Sequence, residues 1–251
     1  MPPDGRPSSA SVTARVERPG GPLEKAIPSV GRIDLRNHDL KWVGTGWMVG
    51  PPARRDEPSC RREVRPADAG RSGLGLGVRL QAVLDGQGRT AQPGLVPGVP
   101  AAGGVPLPRH RSLWSEPDHR YDVALLRIDA TGEDGESPPP PIALHTTGAR
   151  VSGWIAVIGY PGHDSRADPA DQQRIFDGAY NCKRLAAGQL IGIEGQDVVH
   201  HDATTLGGNS GSAVIDLDSG NAVALHFRGE AGRSNVAVHA AAVARIVRAH
   251  G

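Results

Sequence analysis

The feature that most constrains the fold is a series of short strand-like runs in the second half of the chain. Each run is apolar and four to seven residues long, and turn residues separate one run from the next at short intervals. This spacing is typical of an all-β barrel or sandwich. Residues 235–250 are rich in Ala and Val and end in Arg and His, a pattern that predicts a C-terminal helix. The predicted strands are 153–158, 188–193, 198–201, 212–216 and 221–227.

The first half has fewer such runs. Residues 31–35 and 42–49 predict two strands around an Asn37-His38-Asp39 turn, and residues 121–129 predict a buried strand with an acid at its mouth. A Pro-rich stretch, 132–141, suits a boundary between two halves. The organisation predicted from these patterns is a polar arm, two β-domains and a final helix, at 1–29, 30–131, 142–232 and 233–251.

Charge and composition exclude several classes of function. The 28 Lys and Arg residues nearly balance the 27 Asp and Glu residues, so no excess charge or aromatic platform attracts nucleic acid. No apolar run approaches the ~20 residues of a membrane helix, and the N-terminus lacks the pattern of a secretory signal. Two cysteines make no disulfide framework. We therefore expect a cytoplasmic protein that binds neither nucleic acid nor membranes; the oligomeric state is left open.

The strongest chemical signal is the segment 204–214, Thr-Thr-Leu-Gly-Gly-Asn-Ser-Gly-Ser-Ala-Val. It holds Ser210 between glycines at a turn between two predicted strands. Acyl transfer needs such an exposed hydroxyl beside free backbone N–H groups that stabilise an oxyanion. Gly and Ser are also the commonest turn residues, so an ordinary hairpin loop is the alternative.

This segment resembles the nucleophile loop of the chymotrypsin-like serine proteases, in the bacterial branch that includes the glutamyl endopeptidases. Other motifs follow in the family's order, and the resemblance covers about 30–229. Gly44-Thr-Gly-Trp-Met-Val49 is similar to the strand before the catalytic histidine, and Asp122-Val-Ala-Leu-Leu126 to the segment that carries the triad aspartate. Val157-Ile-Gly-Tyr-Pro161 and Leu225-His-Phe-Arg-Gly229 resemble two later landmarks.

The resemblance implies two six-stranded antiparallel β-barrels with the active site in the cleft between them. It assigns Ser210 as nucleophile, the N–H groups of Gly208 and Ser210 as the oxyanion hole, and Asp122 as the residue that orients the base. His226, Phe227 and Gly229 would form a wall of the substrate pocket, where His226 matches a histidine that helps to bind acidic side chains. A half-buried structural histidine is the alternative for His226, and an exposed strand-end acid is the alternative for Asp122. The implied substrate is a polypeptide, and no cofactor is implied.

The family's general base is missing from its expected place. A histidine should stand about a dozen residues after the Gly-Thr-Gly strand, but 54–62 reads Arg-Arg-Asp-Glu-Pro-Ser-Cys-Arg-Arg. His38, His110 and His119 lie in the wrong elements to inherit the role. Loss of one triad member typically lowers turnover by about 10⁴ to 10⁶. The chain as it stands is therefore expected to be a poor enzyme.

The composition changes at the same place. Between Pro51 and Arg109, 28 of 59 residues are Gly, Pro or Arg, and the segment contains no Phe, Tyr, Trp, Ile, Lys or Asn. Such a segment buries little, so we expect 51–112 to be anomalous, with disorder and a disrupted first barrel. When codons for 54–63 are read one base later, they can encode Val-Val-Thr-Asn-Arg-His-Val-Ala-Glu, the family's histidine motif. The sequence thus favours a reading-frame error over 51–112; a natural insertion in an inactive protease is the alternative.

Three rival functions stay open. The chain is either a protease by descent, a peptide-binding or regulatory module that keeps the cleft without hydrolysis, or the protease portion of a larger bacterial effector. A metal site at His200-His201-Asp202 is disfavoured because neighbours on a strand face opposite ways and no third ligand has suitable spacing. Gly73-Leu-Gly-Leu-Gly77 lacks the following helix and acid of a dinucleotide site.

Overall fold

The computed structural model describes residues 9–18, 20–34, 42–53, 72–77, 111–115, 121–128, 137–229 and 234–250. Within these ranges the helices are α1 (Ser9–Val16), α2 (Pro22–Ala26), α3 (Pro169–Phe176) and α4 (Ala240–His250), with a 3₁₀ turn at Ile27–Ser29. The strands are β1 (Val30–Asp34), β2 (Trp42–Ala53), β3 (Ser72–Gly77), β4 (Arg111–Ser115), β5 (Ala124–Ile128), β6 (Trp154–Gly159), β7 (Arg184–Glu194), β8 (Val198–His201), β9 (Ala213–Asp216), β10 (Ala222–Gly229) and β11 (Asn235–His239).

The second half forms a closed barrel of six antiparallel strands, in the order β10-β11-β8-β7-β6-β9. Its strands are rich in Val, Ile and Ala, which pack well on a pleated surface. All four residues of β9 are buried, as are five of the six in β6 and the first five in β10. The predicted all-β fold with a six-stranded C-terminal barrel is therefore confirmed.

The prediction of one helix over 235–250 is wrong for its first five residues. Asn235–His239 forms β11, which pairs with β10 on one side and β8 on the other, and the helix begins only at Ala240. Val236 and Val238 are compatible with either structure, and the Ala-rich run hides the change of period. The two neighbouring strands decide the outcome, because without β11 the barrel would have two open edges.

The strands that the structure describes in the first half form one five-stranded sheet, in the order β1-β2-β3-β5-β4. The predicted strand pair at 30–49 is confirmed by the antiparallel β1 and β2, whereas the turn predicted between them lies outside the described residues. From the anomalous segment 51–112 the structure describes the end of β2, β3 and the start of β4; the remaining residues, to which the prediction of disorder applies, lie outside it.

The segment just before β1 packs against the core and so differs from the predicted polar arm. Leu23 and Ala26 of α2 are buried in the main hydrophobic cluster. The ammonium group of Lys183 donates a hydrogen bond to the carbonyl oxygen of Ile27 at 2.8 Å. The short helix predicted near Pro22 is confirmed.

Helix α3 was not predicted from the sequence. Asp168 caps its N-terminus by accepting hydrogen bonds from the N–H groups of Ala170 and Asp171, and Pro169 occupies its first turn. Among the helices that the structure describes, none is long and apolar enough to cross a membrane.

Candidate active site

The loop between β8 and β9 carries Ser210 on a tight, glycine-dependent turn. Gly208 and Gly211 have φ angles of 93° and 89°, a region that side chains other than glycine rarely adopt. A Cβ atom at Gly208 would lie 2.0 Å from the ring of Trp42 and 2.5 Å from the carbonyl oxygen of Tyr160. Glycine is therefore required at 208 both by the backbone angle and by the lack of space.

The first sheet holds this loop through Thr45 on β2. The Thr45 N–H donates to the carbonyl oxygen of Ser210 at 2.9 Å, and the Thr45 hydroxyl donates to the carbonyl oxygen of Gly208 at 2.9 Å. The same hydroxyl accepts a hydrogen bond from the Tyr160 N–H at 3.1 Å. Thr45 is fully buried. The two halves of the molecule thus meet directly behind the predicted nucleophile.

The two N–H groups predicted to form the oxyanion hole have no acceptor among the residues that the structure describes. The carbonyl oxygen of Gly207 accepts a hydrogen bond from the Gly162 N–H at 2.7 Å. Because a trans peptide is planar, fixing this carbonyl also fixes the Gly208 N–H, which points the opposite way. Preorganised donors of this kind stabilise charge that develops on a carbonyl oxygen.

The hydroxyl of Ser210 makes its hydrogen bond to the carbonyl oxygen of Phe227, at 3.3 Å. A backbone carbonyl cannot take up the proton that Ser210 must lose to become a nucleophile. No histidine in the described part of the chain contacts this hydroxyl. The position that the family uses for its general base, 54–62, lies outside the described residues.

Asp122 lies at the same end of the first sheet as the residues that touch the nucleophile loop. Gly46, Gly77 and Ala124 form one row across β2, β3 and β5. Asp122 precedes Ala124 by two residues, just as Gly44 precedes Gly46. A Cβ at Gly44 would lie 2.8 Å from the carbonyl oxygen of Ser210. Strands β2 and β5 run parallel, two strand spacings or roughly 10 Å apart.

A buried histidine pair backs the predicted substrate pocket. His226 on β10 and His201 on β8 are both fully buried, and the Nε2 atom of His201 lies 3.1 Å from the Nδ1 atom of His226. Burial, reinforced by the neighbouring histidine, lowers the pKa of His226 to about 3. Burial and the charge of His200 lower the pKa of His201 to about 4. Both rings are therefore neutral at neutral pH.

The hydrogen-bond network assigns the tautomers of this pair. The Nδ1 atom of His201 is buried without a partner among the described residues. A buried lone pair without a partner costs less than a buried N–H without one, so the proton of His201 lies on Nε2 and is donated to His226. His226 then carries its own proton on Nε2 and has one N–H donor left.

Two hydrogen-bonded residues, Thr205 and Asn235, lie beside Gly229. The Thr205 hydroxyl donates to the side-chain oxygen of Asn235 at 2.6 Å, and the Asn235 amide donates to the carbonyl oxygen of Ala203 at 2.7 Å. A Cβ at Gly229 would lie 2.5 Å from the Asn235 oxygen. A side chain at 229 would therefore overlap the Asn235 side chain, which explains the glycine.

Sequence reasoning identified residues of the loop and wall but missed what holds them. The Gly44-Thr-Gly motif contains Thr45 but does not indicate that it holds the nucleophile loop. No motif indicates that Thr205, Asn235 or His201 supports the residues of β10. Their partners lie 25 to 163 residues away along the chain, so no local pattern marks them.

The adjacent histidines on β8 lie on opposite sides of the strand. The His200 ring faces away from His201 and lies 3.2 Å from the carboxylate of Glu194. Among the residues that the structure describes, no three His, Cys, Asp or Glu side chains lie close enough together to hold a metal ion.

The sequence of this chain matches a known protein family and a known relative. A family model described as "Trypsin-like peptidase domain" matches residues 81–225, more than half of the chain. The chain is also 34% identical, over 253 aligned positions, to a probable serine protease of Lysobacter enzymogenes. That alignment covers 88% of this chain and 62% of the relative, so the chain spans less than two thirds of the relative's length.

Two solved structures share the fold. A serine endoprotease from Yersinia pestis superposes with a TM-score of 0.60 at 15% identity, over 97% of this chain and 67% of that one. A mutant of the Rv3671c protease of Mycobacterium tuberculosis, in an inactive form, superposes with a TM-score of 0.59 at 18% identity, over 98% of this chain and 95% of that one. At these identities the likeness shows the fold alone.

Proposed function

Because the chain belongs to the trypsin-like peptidase family, we propose that it descends from a serine endopeptidase that cleaves polypeptides through an acyl-enzyme on Ser210. The observation that carries this proposal is the loop around Ser210, with two N–H groups beside the hydroxyl and a backbone fixed by Thr45 and Gly162. The proposal extends to the substrate, a polypeptide, because peptide bonds are what this family hydrolyses.

In the proposed reaction, the Ser210 oxygen attacks the carbonyl carbon of the scissile peptide bond. The carbonyl oxygen becomes an oxyanion and accepts hydrogen bonds from the N–H groups of Gly208 and Ser210. The Ser210 proton passes to a general base and from there to the leaving amine. Water then attacks the acyl group and regenerates the hydroxyl. Asp122 would orient the base and stabilise its positive charge.

The general base is the part that the sequence does not supply. No histidine occurs between His38 and His110. We propose that the gene carries a frame error over 51–112 and that the corrected reading restores a histidine motif at about 54–63. The family match begins at residue 81, inside that segment. A corrected frame should extend the match toward the strand that contains Gly44, whereas an unchanged match would favour a natural insertion.

Two specific observations each favour an alternative function. The hydroxyl of Ser210 is bonded to a backbone carbonyl, as expected of an inactive module that uses the cleft only to bind peptides. The chain also covers only 62% of its Lysobacter relative, as expected of the protease portion of a larger protein.

For the pocket we propose a preference for acidic side chains, with His226 as the recognising group. A neutral imidazole with one N–H left to donate matches a carboxylate acceptor. The hydrogen bond from His201 holds the ring in that tautomer. Phe227 and Gly229 would continue the wall, since they follow His226 on β10.

The deciding experiment begins with resequencing codons 50–113 from genomic DNA. Both readings are then expressed, each with a Ser210→Ala control, and treated with a fluorophosphonate that labels activated serines. Labelling of the corrected chain at Ser210, together with peptide hydrolysis, supports the protease. If the frame stands as printed and the chain binds peptides without labelling, the catalytic proposal is wrong and the binding module takes its place.

A further inference from the structure

The loop that precedes helix α3 lies directly against the predicted oxyanion hole. Gln172, on the buried side of α3, clamps the backbone of Asp164 from both directions. The Asp164 N–H donates to the Gln172 side-chain oxygen at 3.0 Å, and the Gln172 amide donates back to the Asp164 carbonyl oxygen at 2.8 Å. Gln172 is only 3% exposed. The helix therefore fixes where Asp164 stands.

The carboxylate of Asp164 connects this loop to the nucleophile loop. Its Oδ2 atom accepts a hydrogen bond from the Gly207 N–H at 3.2 Å and one from the Arg166 guanidinium at 2.7 Å. Its Oδ1 atom accepts from the Arg166 Nε and backbone N–H groups at 2.9 and 3.0 Å. The Asp164 side chain is 12% exposed, whereas that of Arg166 is 82% exposed. Arg166 thus orients the carboxylate from the solvent side.

Gly207 is held at both of its polar atoms by the same loop. Its N–H binds the Asp164 carboxylate, and its carbonyl oxygen accepts from the Gly162 N–H at 2.7 Å. That carbonyl shares a peptide plane with the Gly208 N–H. If Gly207 turned, this oxyanion-hole donor would turn with it. The Asp164 carboxylate therefore acts one residue upstream of the Gly208 N–H, the donor that the proposed catalysis needs.

We propose that Asp164 is a positioning residue for the oxyanion hole, held in place by Arg166 and by Gln172 of α3. The proposal rests on the proposed function, because it gives the oxyanion hole of that same site its support. It assigns a role to α3 and its leading loop, which otherwise lie on the surface of the second barrel. Asp164 does not touch the substrate in this role and acts only through Gly207.

The test compares rates of Ser210 acylation by p-nitrophenyl acetate, followed by mass spectrometry of the intact chain. An active ester reacts without the full triad, so the experiment works with the chain as it stands. We expect Asp164→Ala to lower the rate constant by roughly 10- to 100-fold, less than or equal to the loss of one oxyanion donor. Asp164→Asn keeps an oxygen for the Gly207 N–H and should recover part of the rate. The matched control is Asp171→Asn on α3, where an exposed ion pair with Arg174 is lost; its rate should not change.

A saturation curve separates positioning from general damage. If Asp164 positions the donor, the limiting rate falls while the half-saturating ester concentration stays constant. The proposal is wrong if Asp164→Ala is acylated at the parent rate. It is also wrong if Asp171→Asn loses as much of the acylation rate as Asp164→Ala.

A second measurement distinguishes a failure of the Asp164 proposal from a failure of the Ser210 proposal. If Ser210→Ala is acylated as fast as the parent chain, the nucleophile proposal fails. Amide hydrogen exchange of a peptide spanning 204–211 then tests whether Asp164 orders the loop, without relying on Ser210 reactivity. Faster exchange in Asp164→Ala than in Asp171→Asn supports the positioning role, and equal exchange refutes it.

Discussion

The hydroxyl of Ser210 points its proton at the carbonyl oxygen of Phe227, 3.3 Å away on β10. A carbonyl oxygen orients a hydroxyl but does not deprotonate it, so this contact leaves the serine in its unreactive form. In the proposed reaction the hydroxyl needs a general base, which Asp122 would orient.

Added imidazole should partly restore the reactivity of Ser210 in the chain as it stands. Imidazole supplies the missing ring as a free molecule, at a large entropic disadvantage compared with a tethered histidine. We expect the rate of Ser210 acylation to rise with imidazole concentration and with pH near 7. The measurement is mass spectrometry of the acylated chain. The same increase in Ser210→Ala would show that the reaction occurs elsewhere.

Gly208→Ala should distort the nucleophile loop and prevent acylation of Ser210. The φ angle of 93° disfavours alanine by about 1 to 2 kcal/mol, and the new methyl group would overlap the ring of Trp42. We expect a loss of acylation together with a lower free energy of unfolding in urea. Gly178→Ala is the matched control, because Gly178 has a φ of 72° but no atom within 4 Å of its added Cβ. A control that loses as much stability would mean that the overlap with Trp42 is unimportant.

Thr45→Val should destabilise the junction between the sheet and the barrel. Valine has nearly the same shape but cannot accept from the Tyr160 N–H or donate to the Gly208 carbonyl. Each buried polar group that loses its partner costs roughly 1 to 3 kcal/mol. Urea unfolding measures this loss, and Thr45→Ser, which keeps the hydroxyl, should stay much closer to the parent chain. If the serine variant were as unstable as the valine variant, the lost methyl contacts would be responsible instead.

Acid should weaken the second barrel through its buried histidines. In the folded chain the pKa of His201 is about 4 and that of His226 about 3, both below the ordinary value of 6.5. Burial also lowers the pKa of His239. Between these values the unfolded chain binds more protons than the folded chain, so stability falls as pH decreases. The contribution is complete above pH 6.5 and is lost progressively toward pH 4 and 3.

Urea unfolding at several pH values between 7.5 and 4 measures this effect. Replacing His201 by Gln removes one of the titrating groups, and the decline of stability in acid should become shallower. A slope that is unchanged in His201→Gln would assign the acid sensitivity to other groups.

The proposed pocket predicts a charge preference in the corrected chain. Peptides with Glu before the scissile bond should be cleaved with a higher kcat/KM than matched peptides with Gln, because only Glu offers a carboxylate to His226. His226→Gln should reduce this ratio while leaving fluorophosphonate labelling of Ser210 intact. Equal cleavage of the two peptides by the parent enzyme would remove the acidic preference.

The sequence predicted the parts of this fold whose signals are local. The strand runs of the second barrel and the strand pair around residue 38 were recognisable because alternation and turn residues lie within a few positions of each other. The segment 235–239 was misassigned because its Ala and Val residues suit both periods and only its two neighbouring strands decide. Helix α3 was overlooked although Asp168-Pro169 is a helix start signal, since the sequence that follows is mostly polar.

Some residues of the candidate site are likewise marked by local motifs, and others are not. Ser210, Gly208 and Asp122 lie in motifs that can be read directly from the chain. Thr45 and Asp164 cannot be found so, because they act through backbone groups 163 and 43 residues away. Their contacts depend on which distant segments meet in the folded chain.

The position of β11 in the barrel has a consequence for the order of events during synthesis. Strands β8 and β10 each lack one of their two partners until residues 235–239 have left the ribosome, because β11 lies between them. His201 and His226 are carried by these two strands, and the wall beside Ser210 belongs to β10. The barrel that carries the nucleophile loop therefore closes only after β11 has been made. A nascent chain that stops before this strand would carry every motif of the candidate site but would leave the edges of β8 and β10 unpaired.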